Sequence, residues 1–449
     1  MAYLEDHLYV GTIRSLLVGA RYVHKQIDLE MWPVLCPHPF YSKEFEQTAR
    51  GEIWRYSILT DEWRRVMQAP LVQDSDGKTT YSREIGYRGM VAFQGKSDPK
   101  PAIYTSTFSR SKGNGPLILR SDDGTNFKQV GKPGLIGLPI TSLRCLIPFK
   151  GRLLTAPTSA AGSNPNTSGV SVIYETQDPA AGTWCPINTP GFGDPDNRTI
   201  FEVAGFGDYL YAGTLNNHGF QLWRSSLEGE PPYEWSLVIE RGAQRGSLNQ
   251  SVASMVGFKG SLYIGTAIQG GGYDIRNNIG PAGAEIIRVH ADGSWDLIMG
   301  DPRGDISPLS GIPAGFNSLS NGYLWKLGVH QGWLYAGTLD WSVMLQFAGL
   351  RDRKGRVFRM LEEVGLDTIV DRQGGFNLWR THDGENWLPV TRSGFGNAFN
   401  YGVRNIVSTP YGLFIGTANP FGPEVAKVVD GEWTYDHNPS GGLEVWLGS

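Results

Sequence analysis

Three arginines occupy one position of a pattern that recurs along the chain. When the apolar segment in front of each copy is aligned, and an insertion at residues 96–102 is skipped, Arg88, Arg144 and Arg404 coincide. A guanidinium group presents rigid, coplanar N–H donors that bind a carboxylate or sulfate through two parallel hydrogen bonds. The alignment therefore predicts that the three side chains converge on an anionic ligand. The alternative is that each arginine binds the carbonyl groups of nearby loops.

Three other residues are candidates for proton transfer. His218 lies beside a short loop, and an imidazole titrates near neutral pH, so it is the first candidate for a general acid or base. Asp340 is predicted as a second acid–base group or as the group that orients His218. Tyr401, in front of another repeat, completes the predicted catalytic set. A solvated loop residue is the alternative for His218.

Four residues at the same ends of the repeats are predicted to contact a substrate: Asn217, Asn249, Tyr273 and Trp341. Residues 194–197 (Asp-Pro-Asp-Asn) offer the oxygen ligands that calcium prefers but lack an established loop spacing, so a plain turn is the alternative. No cofactor and no other metal site are predicted, because zinc, phosphate-binding and dinucleotide-binding motifs do not occur. Further polar residues of these loops are Asn216, Asn419 and Asp274.

These residues belong to a repeat that occurs seven times. An apolar run with a small-residue end, Leu-Tyr-x-Gly-Thr in its fullest form, marks the second strand of each copy. Its copies are residues 8–12, 103–107, 153–157, 210–214, 262–266, 334–338 and 413–417. A short apolar strand that ends in a Gly turn precedes most copies, and a third strand (Leu-Trp-Arg in its fullest form) and an aromatic-led fourth strand follow. The alternation of apolar and polar residues is typical of β-strands.

Seven copies of a four-stranded unit predict a single all-β domain, a seven-bladed β-propeller of antiparallel blades that covers residues 1–449. We expect the N- and C-terminal strands to close the ring. In the favoured interpretation, residues 424–429 and 433–437 are the last strands of blade seven, and 443–448 completes blade one. In the alternative, 443–448 is itself the third strand of blade seven.

The turns at residues 121–127 and 381–387 (Ser-Asp-Asp-Gly-Thr-Asn-Phe and Thr-His-Asp-Gly-Glu-Asn-Trp) resemble the Asp-box of sialidases and other propellers, one residue shorter than that motif. Over nearly the whole chain the pattern is similar to bacterial propellers with kelch-like or Asp-box-like repeats. The resemblance implies architecture rather than activity, because the Ser and Asp of such turns bind backbone groups.

The connections between second and third strands are long at 13–51, 267–284 and 339–376. In a propeller these loops share one face, and extended loops on one face are typical of a binding surface or a cover. In residues 343–364, charged and apolar residues recur at near-helical spacing, and the stretch is predicted to form a lid or a partner-binding surface.

The formal net charge is −4, so a nucleic-acid or anionic-membrane partner is not expected. The N-terminus lacks the features of a signal peptide, which predicts a cytoplasmic location, although a processed secreted chain would look the same. The favoured function is an enzyme, a lyase, hydrolase or metabolite-tailoring cyclase or alkylase, that acts on a polar or anionic small molecule or saccharide at the channel mouth. The alternatives are a lectin-like binder and a protein-interaction scaffold.

Overall fold

The computed structural model describes residues 1–18, 29–39, 42–74, 76–109, 113–160, 166–347, 363 and 365–448. Most of the predicted lid at 343–364 lies outside these residues. The chain forms two compact units. Unit 1 comprises Met1–Arg14, Lys43–Gln269 and Arg288–Trp295, and unit 2 comprises Ser15–Ser42, Gly270–Ile287 and Asp296–Ser449. The prediction of a single domain stays a prediction.

Unit 1 contains four repeats and the first two strands of a fifth. Its first three repeats form two four-stranded antiparallel sheets and one six-stranded sheet, which also includes Ser142–Leu143 and Pro157–Ser159. The strands of repeats one and two are β1 (Ala2–Leu4), β2 (His7–Gly11), β3 (Glu52–Ser57), β4 (Glu62–Gln68), a separate hairpin β5 (Leu71–Gln73) and β6 (Thr80–Ser82), β7 (Glu84–Phe93), β8 (Ala102–Ser109), β9 (Ile118–Ser121) and β10 (Lys128–Val130). Repeats three to five follow as β11 (Ser142–Leu143), β12 (Ile147–Phe149), β13 (Arg152–Thr155), β14 (Pro157–Ser159), β15 (Tyr174–Thr176), β16 (Cys185–Pro186), β17 (Thr199–Phe206), β18 (Tyr209–Leu215), β19 (Leu222–Ser225), β20 (Ser236–Ile239), β21 (Ser251–Phe258) and β22 (Ser261–Ala267).

Unit 2 contains the sixth and seventh repeats. Strands β23 (Ile286–Val289) and β24 (Trp295–Met299) cross the division between the units along the chain. The strands that follow are β25 (Asn321–His330), β26 (Trp333–Asp340), β27 (Leu378–Thr381), β28 (Leu388–Thr391), β29 (Gly402–Thr409), β30 (Gly412–Ala418), β31 (Glu424–Val429), β32 (Glu432–His437) and β33 (Val445–Gly448). The fold is therefore mostly β, built of several antiparallel sheets.

The helices in the described residues are short. They include α1 (Lys43–Thr48), α2 (Gly134–Gly137), α3 (Ala314–Asn317) and α4 (Leu366–Gln373), with 3₁₀ turns at Pro179–Ala181, Pro190–Gly193, Gly246–Asn249, Ser342–Phe347 and Gly394–Gly396. None of the helices in the described part of the chain is both long and apolar enough to span a membrane.

The favoured assignment of the C-terminal strands is wrong. Strand β33 pairs antiparallel with β30, with Gly416 opposite Val445, so it is the third strand of repeat seven, as in the alternative. Strands β31 and β32 pair with each other as a separate hairpin. Repeat one obtains its first strand from residues 2–4, because β1 pairs with β2. Whether the ends close a ring stays a prediction.

The threonine of the Leu-Tyr-x-Gly-Thr run joins the second strand to the third. In repeat four, the Gln221 backbone N–H donates to Thr214 Oγ1 at 2.9 Å, and the Thr214 N–H donates to the Gln221 carbonyl at 3.0 Å. The same pair of bonds links Thr12 with Glu52, Thr107 with Leu117, Thr338 with Asn377, and Thr417 with Glu444. Long loops can therefore leave these strand ends without disturbing the register, since each end is held by two hydrogen bonds.

The glycine of the same run has a packing reason. A Cβ added to Gly213 would lie 2.4 Å from Val252 Cβ in the next repeat, and one on Gly337 would lie 2.4 Å from Val403 Cβ. The absence of a side chain lets neighbouring sheets approach closely, which is why the run keeps glycine at this place.

We expect Gly213→Ala to lower the free energy of unfolding by about 1–3 kcal/mol, because the added methyl group overpacks a buried contact. Gly448→Ala is the matched control, since a Cβ there would meet nothing nearer than the Leu413 carbonyl oxygen at 3.9 Å. Chemical denaturation of both variants measures the difference. An equal effect of the two substitutions would contradict the packing explanation.

Candidate functional site

Two of the three predicted arginines lie in β-bulges. Strand β7 is irregular between Tyr87 and Met90, which places Arg88 in the bulge, and β29 is irregular around Arg404. A bulge turns a side chain away from the regular pleat and is common next to functional sites. The equivalent bulges hold Phe201 in β17, Ala253 in β21 and Trp325 in β25.

In unit 1, Arg144 stacks on the first of these aromatic bulge residues. Its guanidinium carbon lies 3.5 Å from the centre of the Phe201 ring, and Phe201 is fully buried. The guanidinium carbon of Arg88 lies 5.2 Å from the Phe108 ring, and Arg88 Nη1 donates to Ser142 Oγ at 3.3 Å. Both arginines are partly exposed. Each guanidinium group is therefore held by a ring while part of the residue faces solvent.

In unit 2, Arg404 lies over the Trp325 ring at 5.0 Å. The Trp325 ring centre is 6.1 Å from the ring centres of both Tyr323 and Tyr401. Burial raises the pKa of Tyr401 to about 12, against the opposing effect of the Arg404 charge. Tyr401 therefore holds its proton more tightly than an ordinary tyrosine does, and its neutral phenol can donate a hydrogen bond near pH 7.

Asp340 is fully buried at the end of β26. Its Oδ2 accepts from Ser320 Oγ at 2.5 Å, and its Oδ1 accepts from the Ser342 N–H at 2.8 Å and from the Ser342 hydroxyl. Burial raises the pKa of Asp340 to about 6, and the serine hydrogen bonds oppose that shift. These contacts tie the start of the 3₁₀ turn at Ser342–Phe347 to the segment before β25, so the carboxylate has a structural role in unit 2.

His218 is an exposed residue of unit 1, with 79% of its side chain accessible. Its Nε2 lies 3.6 Å from Asp196 Oδ2, so the neighbouring carboxylate is Asp196. Asn217 is better fixed, because its Oδ1 accepts from Gln250 Nε2 at 2.9 Å. The structure therefore pairs His218 with Asp196 within its own unit, and the partnership with Asp340 stays a prediction.

Asn249 has a role that recurs in four repeats. Its Nδ2 donates to the Gly242 carbonyl at 3.0 Å inside the turn that leads into β21. The same bond runs from Asn197 to Gly191, from Asn321 to Gly315 and from Asn400 to Gly394. All four asparagines are buried. The recurrence indicates that Asn249 holds its own loop, which accounts for the residue without a ligand.

The predicted calcium segment is cross-linked by protein groups. Asp194 Oδ2 accepts from Gln221 Nε2 at 2.7 Å, its Oδ1 accepts from the Asp196 N–H at 2.9 Å, and Asn197 donates to Gln221 Oε1 at 2.6 Å. In the part of the chain that the structure describes, no three His, Cys, Asp or Glu side chains are grouped to hold a metal ion.

Tyr273 and Trp341 belong to neighbouring segments of unit 2. A Cβ on Gly272 would lie 3.2 Å from Trp341 Nε1, so the glycine-rich loop packs directly on the indole. Tyr273 is 38% exposed. Asn419 Nδ2 donates to Oδ1 of Asn400, the residue before Tyr401, at 3.2 Å and to the Ser440 carbonyl at 2.7 Å. Tyr273 is the more accessible of these side chains.

Sequence reasoning missed Glu84. It lies four residues before Arg88, the position that the buried asparagines occupy relative to the bulges of repeats four to seven. The side chain is buried, and its Oε1 lies 3.1 Å from Arg83 Nη1. Burial raises the pKa of Glu84 to about 7, with the Arg83 charge opposing the shift. Aligning the residues before the bulges would have found this exchange of an amide for a carboxyl group.

Comparison with known proteins leaves the family open. Neither a family model nor a curated protein matches the chain. Among solved structures, it is similar to an acylaminoacyl peptidase from Pyrococcus horikoshii at 10% identity and a TM-score of 0.39, over 87% of this chain and 48% of that one. A luciferin-regenerating enzyme matches at 9% identity and 0.37, over 70% and 86% of the two chains. A family 117 glycoside hydrolase from the marine bacterium Zobellia galactanivorans matches at 12% and 0.30, over 56% and 79%. These similarities are too low to indicate a function.

Proposed function

We propose that this protein is an enzyme that acts on a small molecule or saccharide bearing a carboxylate or sulfate group, which Arg88, Arg144 and Arg404 bind. The proposal includes a seven-bladed propeller in which the seven repeats are the blades. The observation that carries it is the stacking of Arg144 on Phe201 at 3.5 Å. A guanidinium group held against a buried ring loses little further freedom when it binds an anion, which favours affinity.

Tyr401 is the proposed hydrogen-bond donor. Burial raises the pKa of its phenol to about 12, so it keeps its proton near pH 7 and can donate a hydrogen bond to an oxyanion that develops on the bound substrate. His218 is the proposed base, and its Nε2 lies 3.6 Å from Asp196 Oδ2 in the same unit. Asp340 would support this site through Ser320 and Ser342, since its carboxylate is buried.

A binding protein without catalysis is the second candidate. The exposure of His218 and the burial of Asp340 favour it, because neither residue lies in an enclosed, accessible acid–base site. In that case the arginines would retain their role, and the protein would bind an acidic saccharide or metabolite without changing it.

Arginine substitutions test both candidates. Isothermal titration with D-glucuronate and with sulfate should show that Arg144→Gln and Arg404→Gln each weaken binding about tenfold or more, the size of a lost charge-assisted bidentate contact. Arg224→Gln and Arg380→Gln are matched controls, because these arginines lie over Tyr209 at 4.7 Å and over Trp333 at 4.6 Å on third strands. We expect the controls to bind as the unmodified protein does.

Product analysis then separates the two candidates. Chromatography of uronic-acid oligosaccharides, sulfated sugars and aromatic acids after incubation should reveal a product whose formation is lost in Tyr401→Phe. Anion binding without any product would favour the binding protein. Unchanged affinity in both Arg144→Gln and Arg404→Gln would contradict the proposed anion site.

A further inference from the structure

We infer that Phe201 and Trp325 are positioning residues that orient Arg144 and Arg404, so that each guanidinium group selects flat, bidentate oxyanions over spherical anions. The inference rests on the proposed anion site and adds the class of acid group that the site takes. Neither aromatic residue belongs to the catalytic or binding set predicted from sequence. Both lie in bulges of first strands, in repeats four and six.

The contact in unit 1 covers one face of a guanidinium group. Arg144 lies 3.5 Å from the Phe201 ring centre, well inside the distance of about 6 Å at which a cation and a ring attract each other. The N–H donors of a guanidinium group point outward in its plane, so a ring on the face does not compete with a ligand for them. The stack restricts rotation of the plane and keeps its donor edge in one direction.

In unit 2, the Trp325 indole packs against β29, the strand that carries Arg404. A Cβ on Gly402 would lie 2.7 Å from Trp325 Cε3, so the indole packs against the bare backbone two residues before Arg404. Tyr323 and Tyr401 flank the indole with tilts of 76° and 70°, each edge to face. Trp325 is therefore held by three neighbours, and a fixed indole fixes the cation that lies over it.

The orientation of the guanidinium N–H edge determines which anions it binds more tightly. A carboxylate presents two coplanar oxygens and matches a fixed guanidinium edge with two parallel hydrogen bonds, whereas a halide is spherical and gains nothing from the direction of the plane. The ligand's acid group is therefore a carboxylate, or a sulfate or phosphate that presents two oxygens in the same way.

The test compares the affinity of the intact protein for D-glucuronate and for iodide, measured by titration for each variant. We expect Phe201→Leu and Trp325→Leu to weaken glucuronate binding about fivefold, the size of a lost cation–aromatic contact, with iodide binding changed less than about twofold. The conservative variant Trp325→Phe should retain most of the selectivity, since it keeps a ring beneath Arg404.

Trp333→Leu is the matched control, because it removes the ring beneath Arg380 on a third strand. Chemical denaturation identifies variants with a loss of fold. Equal losses for glucuronate and iodide in Trp325→Leu, or an equal loss in Trp333→Leu, would overturn the inference. If Arg404→Gln loses glucuronate binding while Phe201→Leu and Trp325→Leu keep their affinity and selectivity, the inference fails and the proposed function stands. If the unmodified protein binds no oxyanion, both fail.

Discussion

The free energy of unfolding should fall by about 3 kcal/mol as the pH rises from about 4.5 to about 7, through Glu84 alone. Burial raises the pKa of Glu84 from 4.5 to about 7, so the folded protein binds this proton more tightly than the unfolded chain does. The stability that the protonated side chain contributes is fully present below the unfolded pKa. It is lost as the pH rises through the folded pKa, because the charged form must then be kept in a buried place.

Glu84→Gln should remove this part of the pH dependence, since an amide does not ionise. Urea denaturation of both proteins at several values between pH 4 and pH 8 measures the slope. Arg83 adjoins Glu84 at 3.1 Å and loses its charged partner in the variant, so the slope is a better measure than stability at one pH. Burial raises the pKa of Tyr87, three residues further along the chain; the charges of Glu84 and Glu52 add to this shift, and the Arg50 charge opposes it.

Asp340 and Asp123 provide controls, because the pKa of the first is raised in the fold and the pKa of the second is lowered. The raised pKa of Asp340, about 6, predicts a loss of stability in the same direction, so Asp340→Asn should also flatten the profile. Hydrogen bonds from the Asn126 backbone and side chain and from the Thr125 backbone lower the pKa of Asp123, so its contribution is present at neutral pH and lost as the pH falls. Asp123→Asn should therefore destabilise at pH 7 more than at low pH. A slope unchanged by Glu84→Gln would mean that Glu84 titrates normally in the fold.

Asn321→Ala should destabilise the protein by about 3 kcal/mol, because three groups lose a partner in a fully buried place. Asn321 Nδ2 donates to the Gly315 carbonyl at 2.9 Å. Its Oδ1 accepts from Thr338 Oγ1 at 2.7 Å and from Asn377 Nδ2 at 3.4 Å. The side chain thus joins the turn before β25 to the ends of two other strands of the same repeat.

Asn317→Ala is the matched control, since Asn317 lies in the same turn with a φ of 64° and is exposed. Chemical denaturation should show a smaller loss for this variant, caused by the left-handed backbone rather than by buried partners. Asn321→Asp removes the donor to the Gly315 carbonyl and also adds a buried carboxyl group, so its loss of stability should be larger at pH 7 than at low pH. Equal stability of Asn321→Ala and the unmodified protein would contradict the assigned role of the buried asparagines.

The repeated strands followed from the sequence because their causes are local. Alternation of apolar and polar residues determines which face of a strand is buried, and the Gly turns determine where a hairpin reverses. The Leu-Tyr-x-Gly-Thr run marked each second strand, and the structure adds the reason for its last two residues: a close approach at Gly213 and a strand-to-strand hydrogen bond at Thr214.

The sequence left alternatives open, or predicted another role, where an assignment depends on partners distant in sequence. Residues 445–448 match the third-strand pattern, yet the choice between the two interpretations depended on which edge strand they meet. The burial of Asp340 depends on Ser320 and Ser342, and Ser320 lies twenty residues earlier in a segment without any catalytic signature. The sequence predicted Asn249 as a substrate-binding residue. In the structure its Nδ2 donates to the Gly242 carbonyl, and equivalent bonds occur in three other repeats.

The sequence by itself therefore determined the repeat, the order of its strands and the shared position of Arg88, Arg144 and Arg404, since spacing along the chain is enough for each of these. Tertiary structure alone decided that Phe201 and Trp325 lie against two of these arginines and that Glu84 is buried beside Arg83. Stacking and burial depend on which strands become neighbours and on where a bulge turns a side chain. A pKa depends on the same neighbours, because burial and nearby charges shift it.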